Sequence, residues 1–141
     1  MSEDKKNLEF KETVNADFDW EKEVGFEFDW DEKKVWALEE PTTEINIKEL
    51  LWHFDVPFWN KDGTEGWNVT PWDVIHGKEQ SADHQRRVKN ADLSHPIDVM
   101  ENHGKWLALD GLHRLAKAYE QRQEKVKVRI IPRERIPEIL K

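Results

Sequence analysis

The sequence predicts an α+β domain, a small mixed sheet with surrounding helices, preceded by an acidic N-terminal arm. Three observations carry that reading. Residues 96–100 (PIDVM) and 105–109 (KWLAL) are two apolar runs around Asn102-His103-Gly104, which predicts a strand, a turn and a returning strand. Leu112, Leu115, Ala116 and Tyr119 recur at i, i+3, i+4 and i+7, so residues 112–122 present one apolar helix face. Residues 125–131 (KVKVRII) alternate cleanly, with Val126, Val128 and Ile130 pointing inward from a further strand.

The other elements follow in chain order. Residues 1–40 form the arm, in which FDW recurs at 18–20 and 28–30. Phe26, Phe28 and Trp30 alternate with acids, the period of a half-buried strand, and Gly25 is placed to turn a hairpin. The alternative is a loosely held acidic segment with aromatic anchors. The domain spans residues 41–141. A strand over EINI runs into KELLWHF, where helix and strand compete until Asp55-Val56-Pro57 breaks the pattern. Residues 59–69 are a loop with two glycines. Thr70-Pro71 is a helix start, with Thr as N-cap and Pro at the first helical position, and Gly77 is the stop. Ser81 or Asp83 caps a second helix that runs to about Ala91, and a short terminal helix follows Pro137.

Composition narrows the function classes. The chain has 141 residues, enough for one real core. Its net charge of −8 lies wholly in the arm, where residues 1–40 hold 14 acids and 6 bases; the remainder holds 16 of each. Duplex DNA is a poor partner for such a chain, because phosphate neutralisation dominates that affinity. A nucleic-acid-binding or nuclease role would rest on the local patch Arg86-Arg87-Lys89. The absence of cysteine removes disulfides, thiolate metal sites and thiol catalysis. No apolar run approaches the roughly 20 residues of a membrane span. The N-terminus has no signal-peptide core, so a cytoplasmic location is expected. Of the eight tryptophans, Trp59, Trp67 and Trp72 surround the glycine loop. They read as core and wall residues, with a stacking wall for a base or sugar as the alternative.

The chemistry concentrates in Asp110-Gly111-Leu112-His113-Arg114, where a strand ends and a helix begins. The first amides of a helix lack internal acceptors and the helix dipole adds positive charge, so phosphate suits this position. Arg114 adds a forked donor, His113 a donor or proton carrier, and Asp110 a carboxylate able to hold Mg²⁺. The plainer reading, in which Asp110 is an N-cap and His113 and Arg114 are solvated, stands beside it.

Residues 93–132 resemble the ParB/sulfiredoxin superfamily. Pro96-Ile97-Asp98-Val99 and Gly111-Leu112-His113-Arg114 occupy its Pro-Ile-x-Val and Gly-x-x-Arg positions, and the order of elements agrees. The Asp-Gly-x-His-Arg form is similar to that of its free serine kinases. The resemblance implies a ParB/sulfiredoxin-like sheet with helices around it. It implies a nucleoside triphosphate, ATP or CTP, with phosphates on Gly111, Leu112, His113 and Arg114. Sulfiredoxin chemistry is excluded, since Leu112 stands where that reaction needs cysteine. Partitioning is not expected, because no helix-turn-helix follows the matched segment.

The functional expectation is therefore Mg²⁺-dependent phosphoryl transfer or nucleotide hydrolysis, with Mg²⁺ on Asp110 and a small-molecule or protein acceptor. Asp55 and His113 are the candidate catalytic groups. His84 and Arg87, at i and i+3 on one helix face, are placed to close over the phosphates, with Asp92 after them; each of these also reads as an ordinary surface charge. His95 reads equally as a turn residue. The alternative function is a non-catalytic binding or regulatory module whose acidic arm takes a protein partner.

Overall fold

The computed structural model describes residues 25, 28–64, 67–77 and 81–141. Its organising unit is the hairpin of β2 (Ile97–Asn102) and β3 (Lys105–Asp110), joined by His103 and Gly104 at φ 53° and 81°. Positive φ at both turn residues matches the twist of the flanking strands. Asp98 faces Asp110 while Val99 faces Ala108, so Leu109 is an extra, bulged residue. A bulge bends its strand, here just before the helix that follows.

That helix, α4 (Leu112–Glu120), leads into β4 (Lys125–Ile130), which lies parallel to β2. β1 (Thr42–Asn46) pairs antiparallel with β4 at the far edge, giving the order β1-β4-β2-β3. The mixed α+β architecture expected from the sequence is therefore present.

Successive strand residues point to opposite faces, and both faces are covered. On one, Ile97, Val99, Ala108, Val126 and Val128 pack with Leu115, Ala116 and Ala118 of α4. α2 (Pro71–Ile75) and α3 (Ala82–Lys89) add Val74 and Val88 to that core. On the other face, Met100, Leu107 and Leu109 pack with Val35 of α1 (Glu32–Trp36) and Ile139 of α5 (Ile136–Ile139). The described part of the arm is thus a layer of the molecule. Arg129 fastens it: its guanidinium pairs with buried Asp98 (2.6 Å) and donates to Leu38 O (2.6 Å) and Val35 O (3.0 Å) at the end of α1.

Several local expectations change. Residues 47–55 form 3₁₀ turns, Ile47–Glu49 and Leu51–Asp55, which is how the competing helix and strand signals resolve. Thr70 caps α2 in a reciprocal box with Asp73. At α3, Ser81 makes no side-chain cap; Asp62, twenty residues upstream, accepts from Ala82 N (2.9 Å) and Asp83 N (3.4 Å) instead. Most of the proposed arm hairpin lies outside the described residues; within them Trp30 makes a single bridge to Leu140 and α1 begins at Glu32. Among the described residues no helix is long and apolar enough to cross a membrane.

Among the described residues β3 has a strand neighbour on one side only. Side chains occupy the other side: Trp52 Nε1 donates to Trp106 O (3.3 Å), and Ala108 N donates to His53 Nε2 (2.9 Å). The fully buried His53 ring donates from Nδ1 to Leu50 O (2.7 Å), so it bridges the 3₁₀ turns and the strand as a neutral tautomer.

Candidate functional site

The site begins where β3 runs out. Gly111 caps α4 at φ 110°, ψ 18°, a left-handed conformation that only glycine adopts cheaply. A Cβ there would stand 3.1–3.2 Å from Ile97 and 3.1 Å from Arg114 Nη2, so the backbone also comes unusually close to β2. No side chain caps the helix. Its first internal bond runs from Leu115 N to Gly111 O (2.9 Å), which leaves the amides before Leu115 without intrahelical acceptors. Arg114, one turn in, reaches back to Asp110 Oδ2 (3.3 Å), while its Nε–H is buried with no partner among the described residues.

Asp110 is the junction between this helix start and the arm. Its Oδ2 also accepts from Trp36 Nε1 (2.6 Å), and Glu32 hydrogen-bonds to it from the start of α1. Burial, then the charge of Asp110 and that hydrogen bond, raise the Glu32 carboxyl above its ordinary value. Two neighbouring carboxyl groups also suit a hard divalent cation, which takes one or two carboxylates and fills its remaining positions with water or phosphate oxygen. Among the described residues no group of three or more His, Cys, Asp or Glu is arranged to hold a metal.

The third part is a stack. The buried Trp59 indole lies parallel to both His84 (4.9 Å, 4°) and His113 (4.5 Å, 9°). His84 Nδ1 is 2.8 Å from His113 Nε2, and His84 Nε2 is 2.7 Å from Asn60 Oδ1. Burial, then the charges of Arg87, His84 and Arg114, push His113 down to about 3. Burial and Arg87 likewise lower His84. Both rings are neutral near pH 7.

The structure therefore brings Asp110, Gly111, Leu112, His113, Arg114 and His84 into one neighbourhood, with the exposed Arg87 on α3 close enough for its charge to bear on both rings and on Glu32. Asp55 is exposed at the end of a 3₁₀ turn, outside this cluster, as is Asp92, which hydrogen-bonds to Ser94 and pairs with the exposed His95. The tryptophans take the structural reading: Trp59 is covered by the histidines, Trp72 stacks on His76 and edges onto Phe54 and Tyr119, and Trp67 edges onto Phe58.

No protein-family model, curated protein or solved structure matches this chain.

Sequence reasoning missed Glu32, Trp36 and Asn60, and named Trp59 only as a core or wall residue. Glu32 and Trp36 come from the arm, and their spacing carries no signal for a site that lies 74 residues beyond Trp36. Trp59 and Asn60 open the glycine loop, where the one legible sign was a tryptophan followed by turn-forming residues.

Proposed function

We propose that this chain binds a nucleoside triphosphate, ATP or CTP, at the start of α4 and, with Mg²⁺, transfers or hydrolyses its terminal phosphate. The observation that supports it is an uncapped helix opened by Gly111 at φ 110°, beside a guanidinium whose Nε–H is buried and, among the described residues, unpartnered. Unsatisfied donors at a helix N-terminus favour anionic oxygens, and an orphaned buried N–H costs free energy until an acceptor arrives. The resemblance to the ParB/sulfiredoxin superfamily supports the same assignment.

In this reading the Leu112 and His113 amides and Arg114 hold phosphate oxygens, and Arg87 adds charge from α3. Asp110 and Glu32 are the residues that would hold Mg²⁺, which when bound supplies charge neutralisation for the transferring group. His113, neutral and on the first turn, is the group placed to take a proton; Asp55 has no link to the cluster. Phosphoryl transfer asks mainly for such positioning and neutralisation.

The test is a titration of the full chain with Mg·ATP and Mg·CTP, followed by tryptophan fluorescence and melting temperature. A saturable rise in melting temperature with one nucleotide, abolished in Arg114→Ala, is expected. No response at millimolar nucleotide would overturn the proposal.

A further inference from the structure

The histidine pair has a direction, and hydrogen-bond chemistry fixes it. Asn60 Nδ2 faces two carbonyls, Thr64 O (2.8 Å) and Lys61 O (3.2 Å), which can only accept. The amide is therefore oriented with Oδ1 toward His84. Oδ1 only accepts; the Asn60 backbone N–H also points at His84 Nε2, but at 3.5 Å it is the far weaker contact, so the 2.7 Å contact to Oδ1 decides and the proton sits on His84 Nε2. A neutral His84 then has a bare Nδ1, which accepts from His113 Nε2–H at 2.8 Å. A neutral His113 is left with a bare Nδ1, and no hydrogen bond to that atom exists among the described residues. Trp59, parallel to both rings, keeps them in one plane and keeps the chain of donors in line.

We infer that Asn60, His84 and His113 form a directional proton relay, whose open end is the bare Nδ1 of His113 and whose incoming proton comes from a hydroxyl or water at the start of α4. The step balances within the two rings. The hydroxyl gives its proton to His113 Nδ1 and keeps the electron pair, which forms its bond to the terminal phosphorus as the bond from that phosphorus to the bridging oxygen breaks and the nucleoside diphosphate leaves with the electrons of the broken bond. His113 releases its Nε2 proton to His84 Nδ1. His113 ends neutral with Nδ1 protonated, and His84 ends as the imidazolium with Asn60 Oδ1 still accepting from it.

The surrounding charges favour this direction. His113 faces the cations Arg87 and Arg114, on α3 and α4, and the ring of His84. His84 also faces Arg87, but Asp83 on its own helix and Asp62 from the loop offset it. The relay moves the new charge away from Arg114 and toward two carboxylates. His84 and Asn60 are positioning residues here, acting through His113. The identity of the proton donor rests on the nucleotide reading above; the tautomers do not.

Long-range ¹⁵N–¹H NMR of the imidazoles in the ligand-free full chain at pH 7 tests the direction. Both rings are expected as Nε2–H tautomers, and Nδ1–H on either ring would overturn the relay. Asn60→Asp supplies the second readout. A carboxylate against His84 Nε2 should raise the His84 titration midpoint by about one to three units, an effect that packing alone does not produce. An unmoved midpoint in a folded N60D protein would also overturn the proposal. Because neither measurement needs nucleotide, failure of nucleotide binding and failure of the relay are separately visible.

Discussion

Gly111 meets two demands at one position, a left-handed φ of 110° and an approach to Ile97 at which a Cβ would be crowded at 3.1–3.2 Å. Gly111→Ala should therefore cost more than an exposed turn glycine would, about 1–3 kcal/mol from backbone strain with contact strain added. Urea unfolding would read this as a lower midpoint at unchanged slope. His53 makes a different kind of commitment. Burial, helped by the charge of Lys105, pushes its ring from 6.5 down to about 4, although the bond to Leu50 O works in the other direction. Above about pH 6.5 the unfolded ring is neutral too, and the stabilisation is fully present. Between 6.5 and 4 the unfolded chain takes up a proton that the folded ring refuses, so stability falls as pH falls; below about 4 the slope fades. The withheld protonation amounts to on the order of 3 kcal/mol. His84 and His113, also lowered, add the same sign. Chemical denaturation across pH 4 to 7 should show this loss, and His53→Gln should flatten part of it while lowering stability at pH 7.

The helices show what a linear reading captures and what it cannot. α4 was legible throughout, because its apolar face, its glycine start and its basic first turn all lie within one short segment. α2 was legible for the same reason, with Thr70, Pro71 and Asp73 adjacent. α3 was found but its cap was not. Ser81 is the cap by sequence, yet the loop folds back and Asp62 takes both amides, a choice made by tertiary packing. Asp62→Ala should cost about 1 kcal/mol and speed hydrogen exchange at Ala82 and Asp83, whereas Ser81→Ala should leave those amides unchanged. The C-terminal end of α1 is fastened by one distant residue. Arg129 satisfies two carbonyls at its C-terminal end and the buried Asp98 at once. Removing the guanidinium strands a buried carboxylate, so Arg129→Ala should cost about 3–5 kcal/mol. Added Asp98→Asn should recover part of that loss, and proteolysis at the arm should accelerate in the single variant.

Across the whole molecule, the mixed sheet was readable because its strands announce themselves by alternation, and half of the candidate site because Asp110 to Arg114 is contiguous. The second core was not readable. Val35 opens a run of only four apolar residues, VWAL, inside a charged stretch, and only the fold reveals that it packs in one cluster with Leu107, Leu109 and Ile139. The layer it belongs to also carries Glu32 and Trp36 to Asp110, so the described part of the arm shields one face and joins the candidate site. A chain beginning at residue 41 should consequently bind a hydrophobic dye strongly and lose cooperative unfolding. The sheet's flanks bear on a quite different hazard. An unpaired strand border invites recruitment of identical chains, the growth mode of fibrils. At β3 that invitation is withdrawn by an indole and an imidazole standing where a fifth strand's amides and carbonyls would dock, so the ring of His53 guards self-association as well as packing. Its removal would leave the Ala108 N–H as a docking point, and thioflavin-positive seeding would then begin along β3 while the short, polar border at β1 stays inert.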